Sequence, residues 1–438
     1  VIPLQFNRFP SQLQSQPIPP TTFTPVQQLR RAVLSCLLWE DQFYQDGESI
    51  AAAIERLAAL VTVEELIAVI HEARHEQHLR HVSLWLLLAL VKQHRGKAVG
   101  DAIYDTLVRA DEPAELLALY WRNGKVPLSK QLKRGLALSL TRFSPYALAK
   151  YNRDNPVKLR DVLFMTHAKP QDEAQAAVWK DLAENTLAAP DTWEVALSAG
   201  ADKKATWERL LAEEKLGYLA LLRNLRGMMT AGVDADWVKQ AILARKGAEK
   251  ILPFRFVAAA RACPQMEPTL DEALSEAISA LPILPGRTIV LVDVSGSMDW
   301  ALSKKSDLRR IDAAATLASL INGNVRVFSF SERVIEVPPR RGMAGVDAII
   351  KSQPHSGTEL AKAVRQINQL PHDRLIVITD EQVTDGLMLE PVAPHAYLIN
   401  VASYQNGIDY GAWRRINGFS ENVLRWLTEM EQSQTERA

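Results

Sequence analysis

Through most of the first two-thirds of this chain, apolar side chains recur at three- and four-residue intervals; in the last third they gather into short β-branched runs. The first spacing lays one apolar face along a helix. It predicts helices over Ile50–Ala59, Glu64–Ala73, His81–Gln93, Gly100–Val108, Glu115–Trp121, Ser129–Leu140 and Glu173–Leu187. Breaks rich in Gly, Pro, Asn and Asp separate helical stretches, among them Arg122-Asn-Gly-Lys125, Asn155-Pro156 and Gly232-Val-Asp234. Thr62 ahead of Glu64-Glu65 and Asp111 ahead of Glu112-Pro113 are the expected helix N-caps. Many helices with short connections and almost no alternating pattern imply an α-solenoid of paired helices. No repeat period is legible, so an irregular helical bundle is the alternative.

After Pro282-Ile-Leu-Pro285 the pattern changes. Strands are expected at Thr288–Asp293, Val325–Phe330, Leu375–Asp380 and Ala396–Val401, with helices at Asp307–Leu320, Gly345–Lys351 and Glu359–Leu370 between them. A last helix is expected over Trp413–Met430. Strands alternating with helices imply an α/β doubly wound domain, its parallel sheet covered on both faces. The chain thus divides into an extended N-terminal arm over residues 1–24, glutamine- and proline-rich, a helical domain over 25–285 and an α/β domain over 286–438.

Composition narrows the function classes. In 438 residues the formal net charge is zero, so attraction to a polyanion must be local. Cys36 and Cys263 have no C-x-x-C spacing, which argues against a disulfide framework or thiolate metal site and fits a reducing cytosol. The longest apolar run, Val82 to Val91, is well short of the roughly 20 residues that cross a bilayer and reads as a buried helix. With no signal-like start, the expectation is a cytoplasmic protein with no membrane partner.

Two features carry chemistry. In Arg287–Met298, RTIVLVDVSGSM, an aliphatic strand runs into Asp293-Val-Ser295-Gly-Ser297, setting a carboxylate and two hydroxyls on a turn where open α/β sheets bind ligands. Thr358 in His355-Ser-Gly-Thr358 and Asp380 at the end of Arg374–Asp380 would join them. Such hard oxygen donors suit Mg²⁺, with Mn²⁺ the alternative, better than zinc or copper. Thr358 has a second reading as the N-cap of the helix from Glu359, while His355 reads as a solvated loop residue and Asp299 as either a residue supporting the ligands from behind or a solvent-facing one. Ser295 is not in G-x-S-x-G and no general base accompanies it, so binding is favoured over catalysis and the chain is read as no enzyme. In order and context the five residues resemble the von Willebrand factor A domain and its metal-ion-dependent adhesion site, with Asp380-Glu381 where that family commonly has Asp-Gly. The resemblance implies direct or water-mediated ligation, with a partner's carboxylate completing the shell.

The second feature is basic. Between Trp121 and Pro170 stand eleven Lys and Arg residues, including Lys130, Lys133, Arg134, Lys150, Arg153, Lys158, Arg160 and Lys169, against only Asp154 and Asp161. This is the electrostatic footprint of a phosphate-binding surface, and Phe143, Tyr146, Tyr151 and Phe164 interleave as candidate base-stacking rings. A solvated helix face is the plainer reading of the charges, and Tyr146 and Phe164 suit a core equally well.

The segment Lys150-Tyr-Asn-Arg153-Asp-Asn-Pro-Val-Lys158-Leu-Arg160-Asp161 through His167-Ala-Lys169-Pro170 resembles a signature of the Ro autoantigen family, in which a TROVE domain precedes an A domain. Phe43-Tyr44-Gln45 after Leu37-Leu-Trp39, Ile399-Asn-Val401 and Asn417-Gly-Phe419 through Leu427 add to the likeness. The resemblance implies a ring of HEAT-like helical repeats closed by the A domain. It also implies RNA binding, with single-stranded 3′ ends of misfolded or immature RNAs and Y-like small RNAs as ligands. An exoribonuclease would be the partner in RNA quality control or decay, and a ring would act as a monomer. Lys150 and His167 match positions the family uses on RNA, while Asp154 stands where the family places a basic residue. The alternative function is a metal-dependent protein-interaction scaffold whose A domain grips an acidic partner residue.

Overall fold

A computed structural model describes residues 24–34, 47–302, 308–380, 390–401 and 413–417, with 424, 427, 428 and 431. The expected arm up to residue 23, Cys36 and the signature at 37–45 lie outside the described residues. The helical region is two rows of stacked helices. Val63–His71 packs on Lys97–Thr106, then Lys130–Leu140, then Leu159–Thr166, while Gly47–Ala58, Arg80–Gln93 and Glu112–Tyr120 form the other row. Arg80–Gln93 is apolar on every side, and each residue from Val82 to Val91 is buried, as expected of a helix enclosed by neighbours. Each of its buried leucines contributes about 2 kcal/mol. No helix among the described residues is long and apolar enough to cross a membrane.

Local chemistry sets the helix ends. Thr62 caps Val63–His71 in a full capping box: its hydroxyl accepts from the Glu65 N–H, and the Glu65 carboxylate accepts from the Thr62 N–H. Asp111, the other expected cap, makes no side-chain capping bond. Its carboxylate instead accepts from Arg80 at 2.8 Å, a charge-assisted bond to a half-buried guanidinium. Close approach is allowed at Gly135, where a Cβ would stand 2.5 Å from Ile103 Cβ; Lys130–Leu140 meets Lys97–Thr106 backbone to backbone there.

The C-terminal sheet has six strands among the described residues: β1 (Ile283–Asp293), β2 (Asn322–Phe330), β3 (Val334–Val337), β4 (Arg374–Thr379), β5 (His395–Asn400) and β6 (Arg414–Asn417), in the order β3-β2-β1-β4-β5-β6. All neighbours are parallel except β2 and β3. The helix expected from Trp413 is overturned at its start, since 414–417 pairs with the edge of β5. Leu424, Leu427 and Thr428 are helical, as expected, and so is Glu431, one position beyond the expected end. Alternation divides the sheet between two cores: Ile289, Leu291, Leu375 and Val377 pack on Leu360–Ile367, while Val290, Val292, Ile376 and Ile378 join a core continuous with the helical region.

That continuity extends the helical rows into the α/β domain. Phe254–Ala262 packs on Arg310–Ser319, and Glu267–Ser279 on Gly342–Ile350. Arg261 donates to Asp347 at 2.7 Å, Met343 N–H to Asp271 at 2.7 Å, and the Asn322 amide to the Ile278 carbonyl at 2.8 Å. The two domains share one packed interface.

Candidate functional site

The β1 carboxyl end is built as the pattern required. Asp293 and Ser295 are fully buried, and Ser297 is half-buried on the turn. Asp293 accepts from the Ser295 N–H at 2.8 Å and from the Thr379 hydroxyl at 2.6 Å, while the Ser295 and Ser297 hydroxyls lie 3.3 Å apart. Burial first, and the neighbouring Asp380 carboxylate second, push the Asp293 carboxyl up to about 7. Asp380, also fully buried, accepts from Arg310 at 2.8 Å. The loop bearing Thr358 is tied to this turn by the Gly296 N–H, which donates to the Ser356 carbonyl, and to the end of β2 by the Glu359 N–H, which donates to the Ser331 carbonyl. Thr358 is buried, and the cap position of Leu360–Ile367 belongs to Glu359. Two mutually repelling buried carboxylates beside converging hydroxyls are the donor set a hard divalent cation fits.

Of the surrounding residues, His355 differs from expectation. His355 is not solvated: its ring nitrogens meet Asp299 at 2.7 Å and the Ile350 carbonyl at 2.9 Å. Asp299 also accepts from Arg309 at 2.7 Å. Arg310 and Thr379 were missed. Thr379 was signalled by a hydroxyl ending an aliphatic strand; Arg310 reaches Asp380 only through folding.

The basic stretch spreads over three helices and their joints: Lys130–Leu140, Pro145–Tyr151 and Leu159–Thr166. Lys130, Arg153, His167 and Lys169 are exposed, and Lys133, Arg134, Lys150, Lys158 and Arg160 half-buried. Their charge is partly matched: Arg134 pairs with Asp101 at 2.8 Å, and Lys158 with Asp154. Lys150 and Arg153 sit 5.9 Å from the Tyr151 ring, and Lys150 also 5.9 Å from Tyr146. Tyr146 is 46% and Phe164 59% exposed, so both rings present faces to solvent, whereas Phe143 is buried. His167 ends Leu159–Thr166 in the left-handed conformation, φ +54°, with its side chain exposed.

The chain resembles known proteins in both halves. Residues 184–312 match the model of the TROVE domain, and 283–393 that of the VWA domain containing CoxE-like protein. The crystal structure of the Deinococcus radiodurans RO (RSR) protein shares the fold with a TM-score of 0.66 at 19% identity, covering 92% of this chain and 99% of that chain. Telomerase protein component 1 is 34% identical over 95 residues in Mus musculus and 33% in Rattus norvegicus. Those 95 residues are 20% of this chain, and the chain spans 4% of the length of these curated relatives. The fold defines a helical-repeat protein carrying a von Willebrand-type A domain. Within that class its fold is like that of the Ro protein, and its segments 184–312 and 283–393 are similar to the TROVE and VWA domains. The basic segment 121–170 lies ahead of both matched regions.

Proposed function

We propose that this chain is a non-catalytic RNA-binding protein that holds single-stranded 3′ ends of misfolded or immature RNAs, and Y-like small RNAs, as a scaffold in RNA quality control or decay. One observation carries the reading: Tyr146 and Phe164 are exposed on the same chain segment that carries Lys150, Arg153, Arg160, His167 and Lys169, all exposed or half-buried. Cations offer the phosphates counter-charge, and the rings offer unpaired bases a stacking surface. The relatives' domain content and fold support the same class.

In the A domain, Ser295, Ser297 and Thr358, with Asp293 and Asp380, would hold Mg²⁺ or Mn²⁺. The ion would supply Lewis acidity toward a carboxylate of a protein partner such as an exoribonuclease. The residues provide the buried, pre-aligned oxygens, and Arg310 and Thr379 fix the two carboxylates in place.

Fluorescence anisotropy with a short labelled single-stranded RNA tests the assignment. With about five phosphate contacts, affinity should fall roughly a hundredfold between 50 and 200 mM salt. A flat salt response, or no binding at 50 mM salt, overturns it.

A further inference from the structure

Away from both sites, the helical rows bring two imidazoles and a carboxylate together. His71 ends Val63–His71, and His75 lies in the following π-helical turn Glu72–Glu76. Asp105 stands near the end of Lys97–Thr106, the next helix in the same row. His75 Nε2 is 3.1 Å from Asp105 Oδ2, and the two imidazole centroids are 4.7 Å apart. One ligand atom of each residue lies within 4.8 Å of the others. Tetrahedral zinc with bonds of about 2.0–2.1 Å needs donors about 3.3 Å apart, within reach of small side-chain rotations.

The backbone around the trio is held. The π turn is closed by the Gln77 N–H on the Glu72 carbonyl, an interruption of the α-helical ladder that is frequent at functional sites. Arg74, between the histidines, turns inward and is buried. It donates to Glu112 at 2.7 Å and to the Thr106 carbonyl at 3.0 Å, beside Asp105. That pair anchors the turn to the end of the facing helix and leaves His71 and His75 on the outer side, reachable from solvent. His71 and Asp105 also line a cavity of about 350 Å³, walled by Ile67, Ile70 and Ala102.

We propose that His71, His75 and Asp105 bind a late divalent transition metal, Zn²⁺ first among them, as an ion staple between two adjacent helices of the row. Two nitrogens and one carboxylate oxygen make a borderline donor set that favours Zn²⁺ over Mg²⁺, the opposite of the oxygen-only set in the A domain. Three protein ligands leave a coordination position for water or an incoming donor.

The test is titration of chelator-treated full-length protein with Zn²⁺ by calorimetry, and with Co²⁺ by visible absorption. Wild type and D293A should each bind one Zn²⁺ at this site, with a tetrahedral Co²⁺ spectrum that excess Mg²⁺ leaves intact. The H71A/H75A variant should lose at least a hundredfold in affinity, and D105N, which keeps the side-chain shape, about tenfold. Both variants alter exposed or half-buried groups, and circular dichroism should match wild type. Zn²⁺ binding unchanged by D105N and by H71A/H75A overturns the site, as does wild-type protein that takes up no Zn²⁺.

Discussion

The two candidate sites are built in opposite ways. The A-domain site gathers Asp293, Ser295 and Ser297 at the end of β1 and Asp380 at the end of β4, with Thr379 holding one buried carboxylate and Arg310 the other. The basic face spreads eight lysines and arginines, with His167, over three helices and their joints, exposed or half-exposed, some partly neutralised by Asp101 and Asp154. A small ion rewards exact enclosure. A flexible polyanion rewards many weak contacts, because each phosphate neutralised adds a modest, salt-sensitive increment. Disturbing the first site should therefore cost stability and cation affinity, and disturbing the second should cost RNA affinity without costing stability.

The largest expected effect comes from Arg310→Ala. It takes a guanidinium from the fully buried Asp380 carboxylate and should destabilise the protein by about 3 kcal/mol. Chemical denaturation measures this, and Mg²⁺ should restore part of the loss by replacing the missing positive charge. RNA affinity at temperatures where the variant is folded should not move. A parallel loss of RNA binding would show that the two regions are one functional unit.

Removing a stacking ring should act the other way. Phe164→Ala leaves an exposed position and should leave the denaturation midpoint unchanged, yet weaken single-stranded RNA binding by about 1–3 kcal/mol in anisotropy titrations. Unaltered affinity would reduce Phe164 to an incidental surface ring.

A smaller effect separates fold from function at one residue. His167 occupies a left-handed helix-ending position that glycine adopts without strain. His167→Gly should stabilise the protein by about 1 kcal/mol, read from the thermal midpoint, while weakening RNA binding. Stabilisation without loss of affinity would leave the histidine no role on RNA.

Much of this architecture was legible in the chain. The helices from Ile50 to Leu140, the N-cap at Thr62 and four of the six strands follow from local periodicity and hydrogen-bonding chemistry, and D-x-S-x-S marks the turn at the end of β1. What escaped depends on tertiary partners. β6 forms because β5 offers an edge to Arg414–Asn417, in a stretch whose spacing reads as helix. Asp111 abandons its cap for Arg80, and Arg310 meets Asp380 across seventy residues of sequence. His71 and His75 are visible as a four-residue spacing, but Asp105 joins them only when the rows stack. Exposure also had to be seen: an interleaved aromatic reads alike whether it becomes the buried Phe143 or the open Phe164.

The most direct test of the central claim is single-stranded RNA affinity of the K150A/R153A/H167A variant against wild type, across a salt series, with and without EDTA. The account predicts at least a tenfold loss, a log–log salt slope shallower by about 1.4 for the two fixed charges removed, and no effect of EDTA on either protein. Affinity and slope equal to wild type, or RNA binding abolished by EDTA, would contradict it.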